Sequence, residues 1–153
     1  MAKKLWKSKA YQNTKVPYEK TQVKIGKLLL DNGVYEKQFT DRIDKSEFVF
    51  MKELEVENKK VKVGVKITIP DVTEKTKNQL YRALFYYLKA KFESLTFGFV
   101  EEYNEAFIKE FMPYLIAGRD GRTVADLILP KYNMAIGNVK DDGEQLFLED
   151  KTE

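Results

Sequence analysis

The chain has 153 residues, 43% hydrophobic and 33% charged, with a net charge of +3 at pH 7; this is the composition of one globular domain with its own core and excludes a disordered polymer. It contains no cysteine and no histidine, which excludes disulfides, thiolate or imidazole metal sites, cysteine nucleophiles and Ser-His-Asp triads, while carboxylate-bound Mg²⁺ or Mn²⁺ stays open. No apolar run nears the ~18 residues of a membrane-spanning helix, and the basic start Met1–Lys7 leads into no apolar signal segment, so a cytoplasmic protein with no membrane partner and no cofactor is expected.

Residues 1–17 are polar and lysine-rich and end at Val16-Pro17, the composition of a basic N-terminal arm. A helix is expected over 19–31, with Val23, Ile25, Leu28, Leu29 and Leu30 as its apolar stripe and Asn32-Gly33 as its stop. A strand at 34–39 and a polar loop at 40–46 follow. The second strand, 47–56, puts Phe48, Phe50, Leu54 and Val56 on one face, with Lys52 as the odd member. Glu57-Asn58-Lys59-Lys60 reads as a tight turn. In the third strand Val61, Val63, Val65, Ile67 and Ile69 alternate with Lys62, Gly64, Lys66 and Thr68, which gives one buried face and one wet, basic face until Pro70 ends it.

Thr73 is placed to cap a long helix over 74–97, whose Tyr81, Leu84, Phe85, Leu88, Phe92 and Leu95 recur at spacings of three and four and face the sheet; Gly98 breaks it. A helix over 100–112 carries Tyr103, Phe107 and Phe111 and is limited by Pro113. Tyr114-Leu115-Ile116-Ala117 has the character of a short strand. Asp120-Gly121 is a turn dipeptide, and Thr123 can cap a short helix ending at Leu129 before Pro130. The expected fold is α+β: a helix, a three-stranded antiparallel meander, a long helix packed on the sheet, then further C-terminal helices. One domain, 18–130, lies between the basic arm and a polar, acidic tail at 131–153.

The charge is uneven. Residues 1–30 hold eight lysines and one acid, Glu19, whereas 141–153 hold six acids and one base, Lys151. A basic front and an acidic tail suit a polyanion partner and a self-screening tail; they equally suit two solvated termini. Arg82 and Lys89, seven apart with Tyr86 between them, form a stripe able to hold phosphates while a ring stacks on a base; the alternative is a solvated face with Lys89 paired to Glu93. Lys52, Lys62 and Lys66 could make the open sheet face basic, a platform for single strands, or could simply keep that face soluble. Leu146-Phe147-Leu148 within the acids loosely matches the tails of single-stranded DNA-binding proteins. Asp120-Gly121-Arg122-Thr123 reads as turn and cap chemistry, with Arg122 reaching a phosphate as the alternative. Asp44 with Glu57-Asn58-Lys59 loosely matches metal-dependent nucleases, but the Glu and Lys fall in a turn rather than on adjacent strand positions.

The helix, three-strand, long-helix order resembles double-stranded RNA-binding domains and, in its meander plus helix, single-strand annealing proteins of the phage-recombinase type. The glycine-proline-histidine segment and lysine pair of the former are absent. A more specific likeness runs over about residues 16–130. It rests on Val16-Pro17 with Lys20-Thr21, Ile25 to Gly33, the alternating strand ending at Ile69-Pro70, Tyr81-Arg82-Ala83-Leu84 leading to Lys89-Ala90-Lys91-Phe92-Glu93, Phe107 to Ile116, and Asp120-Gly121-Arg122-Thr123-Val124. In these segments the chain resembles a family of small bacteriophage and prophage proteins with no assigned activity. Tyr87-Leu88, Phe92 and Phe99 stand where that family has aliphatic residues, which keeps core character. The resemblance implies a phage or mobile-element setting. Two functions are expected from these readings: binding of nucleic acid, single-stranded DNA above all, without sequence preference, or binding of a host protein as an inhibitor of a defence complex. Homo-oligomers fit either.

Overall fold

A computed structural model describes residues 10–70, 72–97 and 102–138. The order is α1 (Tyr18–Asp31), β1 (Glu36–Asp41), β2 (Lys45–Val56), β3 (Lys59–Pro70), α2 (Lys77–Thr96), α3 (Tyr103–Phe111), a 3-10 turn (Met112–Tyr114) and α4 (Val124–Asn138). The strands form one antiparallel sheet in the order β1-β2-β3, so the expected α+β meander is the fold.

Local chemistry sets the boundaries. At the end of α1, Gly33 takes φ +76°; its N–H donates to the Leu30 carbonyl at 3.1 Å and that of Val34 to the Leu29 carbonyl at 2.8 Å. This is a Schellman stop, and both Leu29 and Val34 are buried. Val34 is therefore part of the cap, and β1 starts at Glu36 rather than at 34. Glu57 and Asn58, at φ 51° and 65°, make the two-residue turn that joins β2 to β3; positive φ at both positions matches the twist of the flanking strands.

The register puts Phe48, Phe50, Lys52 and Leu54 of β2 opposite Ile67, Val65, Val63 and Val61 of β3 on one face. There the sheet packs against α1, α2 and α3 around Ile25, Leu29, Tyr81, Leu88, Phe107 and Phe111. Val65, Ile67 and Ile69 are buried as the alternation predicts, but Val61 is exposed because the hairpin's tip runs past the helices. Phe50 meets the rings of Phe92, Phe107 and Phe111 within 6.5 Å, so one strand residue ties both helices to the sheet.

Four expectations need correction. In α1 only Ile25 and Leu29 of the apolar stripe are buried; Val23 is 73% exposed and Leu30 57%, because the stripe as read spans more of the helix than the sheet can cover. Thr73 does not cap α2: its N–H donates to Thr76 Oγ1 within a turn, and Thr76 is the N-cap. Tyr114–Ala117 is not a strand but a turn followed by single bridges, Leu115 to Val65 and Ile116 to Thr123. The helix expected to stop at Leu129 runs through Pro130 to Asn138, forfeiting only the bond Pro130 cannot donate. Thr123 does cap it: the Asp126 N–H donates to Thr123 Oγ1, and the Thr123 N–H donates to Asp126 Oδ2. The expected break at Gly98, Phe99, residues 1–9 of the arm and the acids at 141–153 with Leu146-Phe147-Leu148 lie outside the described residues.

Candidate nucleic-acid interface

The six side chains singled out in the sequence fall on three different surfaces. Lys52 is on the helix-covered face, not on the open one. Its ammonium donates to the Asn32 carbonyl at 3.0 Å and lies 5.4 Å from the Tyr103 ring. Burial pushes its pKa down. The period-two pattern of β2 places Lys52 with Phe48, Phe50 and Leu54, so the expected open-face position is corrected to the covered face.

Lys62 and Lys66 do project from the open face, but that face is not basic. Glu36, Glu47, Glu53 and Glu55 share it. Lys62 reaches across β2 to Glu36 at 2.6 Å, a contact that raises the Lys62 pKa. Lys60 pairs with Glu53, and Arg42 and Lys45 pair with Glu47. Lys66 donates to the Gly121 carbonyl at 3.3 Å. Cross-strand acids, invisible to a one-strand reading of β3, compensate its lysines.

On α2, Arg82 donates to the Tyr86 hydroxyl at 3.1 Å, and the Tyr86 ring is stacked on Tyr11 with centroids 5.3 Å apart. One face of that ring is thus already covered. Lys89 lies 3.9 Å from Glu93 as an i,i+4 pair. Arg122 is clamped by Asp120, with Nε to Oδ2 at 2.6 Å, which supports the turn reading of that segment. Asp44 and Glu57 flank opposite ends of the twelve-residue β2, which holds them roughly 40 Å apart at strand rise; they cannot share a metal.

A different set of lysines lies along α1 and β1. Lys20, Lys24 and Lys27 recur at four and three residues along the outer face of α1, all exposed. Lys37 of β1 joins them: its side chain crosses the bare backbone of α1 at Gly26, where an added Cβ would meet Cε at 3.0 Å and Nζ at 3.2 Å. Among the described residues none of the four makes an ion pair; Asp31 stands four after Lys27 without pairing, and Glu36 is taken by Lys62. Lys27 and Lys37, with Glu19 and Gln22, line a groove of about 470 Å³ that also holds Val23, Leu30 and Phe39, while Lys20 and Lys24 stand outside it. The two misfit apolar residues of α1 thus lie in a groove that carries two lysines and one glutamate. The lysine count of residues 1–30 is the signal in the sequence; it marks a basic front but does not show that Lys20, Lys24 and Lys27 share one helix face.

Asn78 positions this surface. Its Oδ1 accepts the Tyr18 N–H at 2.8 Å and so fixes the start of α1 on α2. Among the described residues no helix is long and apolar enough to cross a membrane, and no cluster of acids could hold a metal ion. Comparison with known protein families, with curated proteins and with solved structures finds no match.

Proposed function

We propose that the chain binds nucleic acid through its backbone, without strong sequence preference, at the α1–β1 ridge of Lys20, Lys24, Lys27 and Lys37. One observation carries this: these four exposed ammonium groups have no acid partner among the described residues, whereas those of the open sheet face and of α2 are engaged. Phosphates are held by such point charges, and Val23, Leu30 and Phe39 give an unstacked base an apolar surface. A duplex hides its bases, so single strands are the favoured substrate. The resemblance over residues 16–130 supports a role in replication or recombination of a phage or mobile element.

The test is a fluorescence anisotropy titration of single- and double-stranded oligonucleotides at ~50 and ~200 mM salt. Binding that favours single strands and weakens by an order of magnitude or more over that range supports the proposal. No binding at the lower salt overturns it. The reading as a protein-binding factor would then take its place, since α4 presents an exposed apolar surface.

A further inference from the structure

Tyr11 joins the body of the protein at the rim of an apolar groove. Between β3 and α2, Ile67, Ile69, Pro70, Leu80 and Leu84 stand with Tyr11 around a space of about 390 Å³, and no charged residue lines it. Two contacts fix the chain there. The Tyr11 ring is stacked on Tyr86, with centroids 5.3 Å apart. The Ala10 carbonyl accepts a bond at 2.9 Å from Nε2 of Gln79, which is itself buried. Gln79 and Tyr86 are seven residues apart on α2, about 10 Å along its axis. Traced backwards from Tyr11, the chain therefore heads toward the N-terminal end of α2, where Leu80 lines the groove.

Ala10 is preceded by Met1-Ala2-Lys3-Lys4-Leu5-Trp6-Lys7-Ser8-Lys9. Leu5 and Trp6 are an apolar pair among four lysines, and Trp6 is the only tryptophan of the chain. Four residues separate Trp6 from Ala10, a reach of up to about 14 Å. That is long enough to lay its ring on Leu80, the neighbour of Gln79.

We infer that Leu5 and Trp6 pack into the β3–α2 groove of their own chain, so that the basic N-terminal segment straps across it. The chemistry of the two sides agrees. An indole has an apolar face for Ile69, Pro70 and Leu80 and an N–H that the open side of the groove leaves in water. The lysines flanking the pair meet no cation in the groove lining. The tether selects this occupant, because a segment on a short linker acts at millimolar effective concentration. A second apolar run, Leu146-Phe147-Leu148, is held less closely: it begins eight residues beyond Asn138, at the far end of the fifteen-residue α4. Docking also holds Lys7, next to Trp6, against the body, so part of the charge of the arm becomes a fixed feature of the surface.

Trp6 is the reporter for the test, which uses the full chain without nucleic acid and is therefore independent of the proposed function. The folded protein should emit at shorter wavelength than the urea-unfolded chain, and acrylamide should quench it several-fold less efficiently. Ala83→Lys sets a charge in the groove lining, and Pro70→Ser removes a ring from it. Each should return the emission most of the way to the unfolded value. Neither residue is part of the buried core, and circular dichroism matching the parent would show that the fold is kept; Pro70→Ser serves alone if Ala83→Lys does not fold. The emission should be the same at ~1 and ~100 µM, since a tethered segment does not respond to protein concentration. Emission and quenching like those of the unfolded chain overturn the inference. So does a blue shift that both variants leave intact, which would put the ring elsewhere, and so does one that fades on dilution, which would put it in the groove of a second copy.

Discussion

The Lys52 ammonium donates to the Asn32 carbonyl across 3.0 Å and thereby caps the C-terminal end of α1 from the neighbouring strand. Cations belong at that end of a helix, where carbonyls point outward without intrahelical partners. Lys52→Met keeps the apolar stem and removes the cap. It should lower stability by about 1 kcal/mol in urea melts and leave the salt dependence of oligonucleotide binding as in the parent. A change in that dependence would return Lys52 to the binding surface.

The bond from Lys77, with Ser46 beside it, holds the Asp41 carboxyl below the usual carboxylate range. A group whose pKa is depressed on folding stabilises the fold above its unfolded pKa and loses that contribution as pH falls through the folded value. Asp41→Asn should therefore melt below the parent at pH 7, and the gap should close below about pH 4. A gap of constant size across that range would show that Asp41 acts through shape rather than charge.

Tyr81 is fully buried between Tyr18 and Phe39, and among the described residues its hydroxyl has no hydrogen-bond partner. Burying an unpaired hydroxyl costs about 1–3 kcal/mol. Tyr81→Phe removes that cost while keeping the ring, so it should leave stability unchanged or raise it by up to ~1 kcal/mol. A loss of more than ~1 kcal/mol on chemical denaturation would mean that the hydroxyl is satisfied.

The fold was legible because its signals are local. The nine-residue alternation of β3, the Asn32-Gly33 stop and the Thr123 cap each act within a few residues, and each appears where the pattern put it. The site was not legible for the opposite reason. Whether Lys62 is available depends on Glu36, 26 positions away and two strands over. Whether Tyr86 can stack depends on Tyr11, 75 positions earlier. Lys37 joins the α1 lysines only because Gly26 leaves a gap for it. Charge counts register none of these pairings. Val23 and Leu30 show the same limit: helical periodicity identifies apolar faces, but the width of the sheet decides which of them are covered.

Six acids against one base in residues 141–153 should compete with phosphate for the lysine ridge. A chain truncated after residue 140 should bind oligonucleotides more tightly than the full chain at ~20 mM salt and equally at ~300 mM, where screening removes the competition. Equal affinity at both salts would leave the acids with a solubility role alone.

The most direct measurement is the slope of log affinity against log salt for single-stranded DNA, compared between the parent, Lys20→Gln/Lys24→Gln/Lys27→Gln and Lys62→Gln/Lys66→Gln. Each phosphate neutralised contributes about 0.7 to that slope on single strands. The α1 triple variant should flatten it by roughly two units and weaken binding evenly across sequences, while the β3 double variant keeps the parent slope because Lys62 is held by Glu36 and Lys66 by the Gly121 carbonyl. The reverse pattern, with the slope lost in the β3 variant and kept in the α1 variant, would contradict the account.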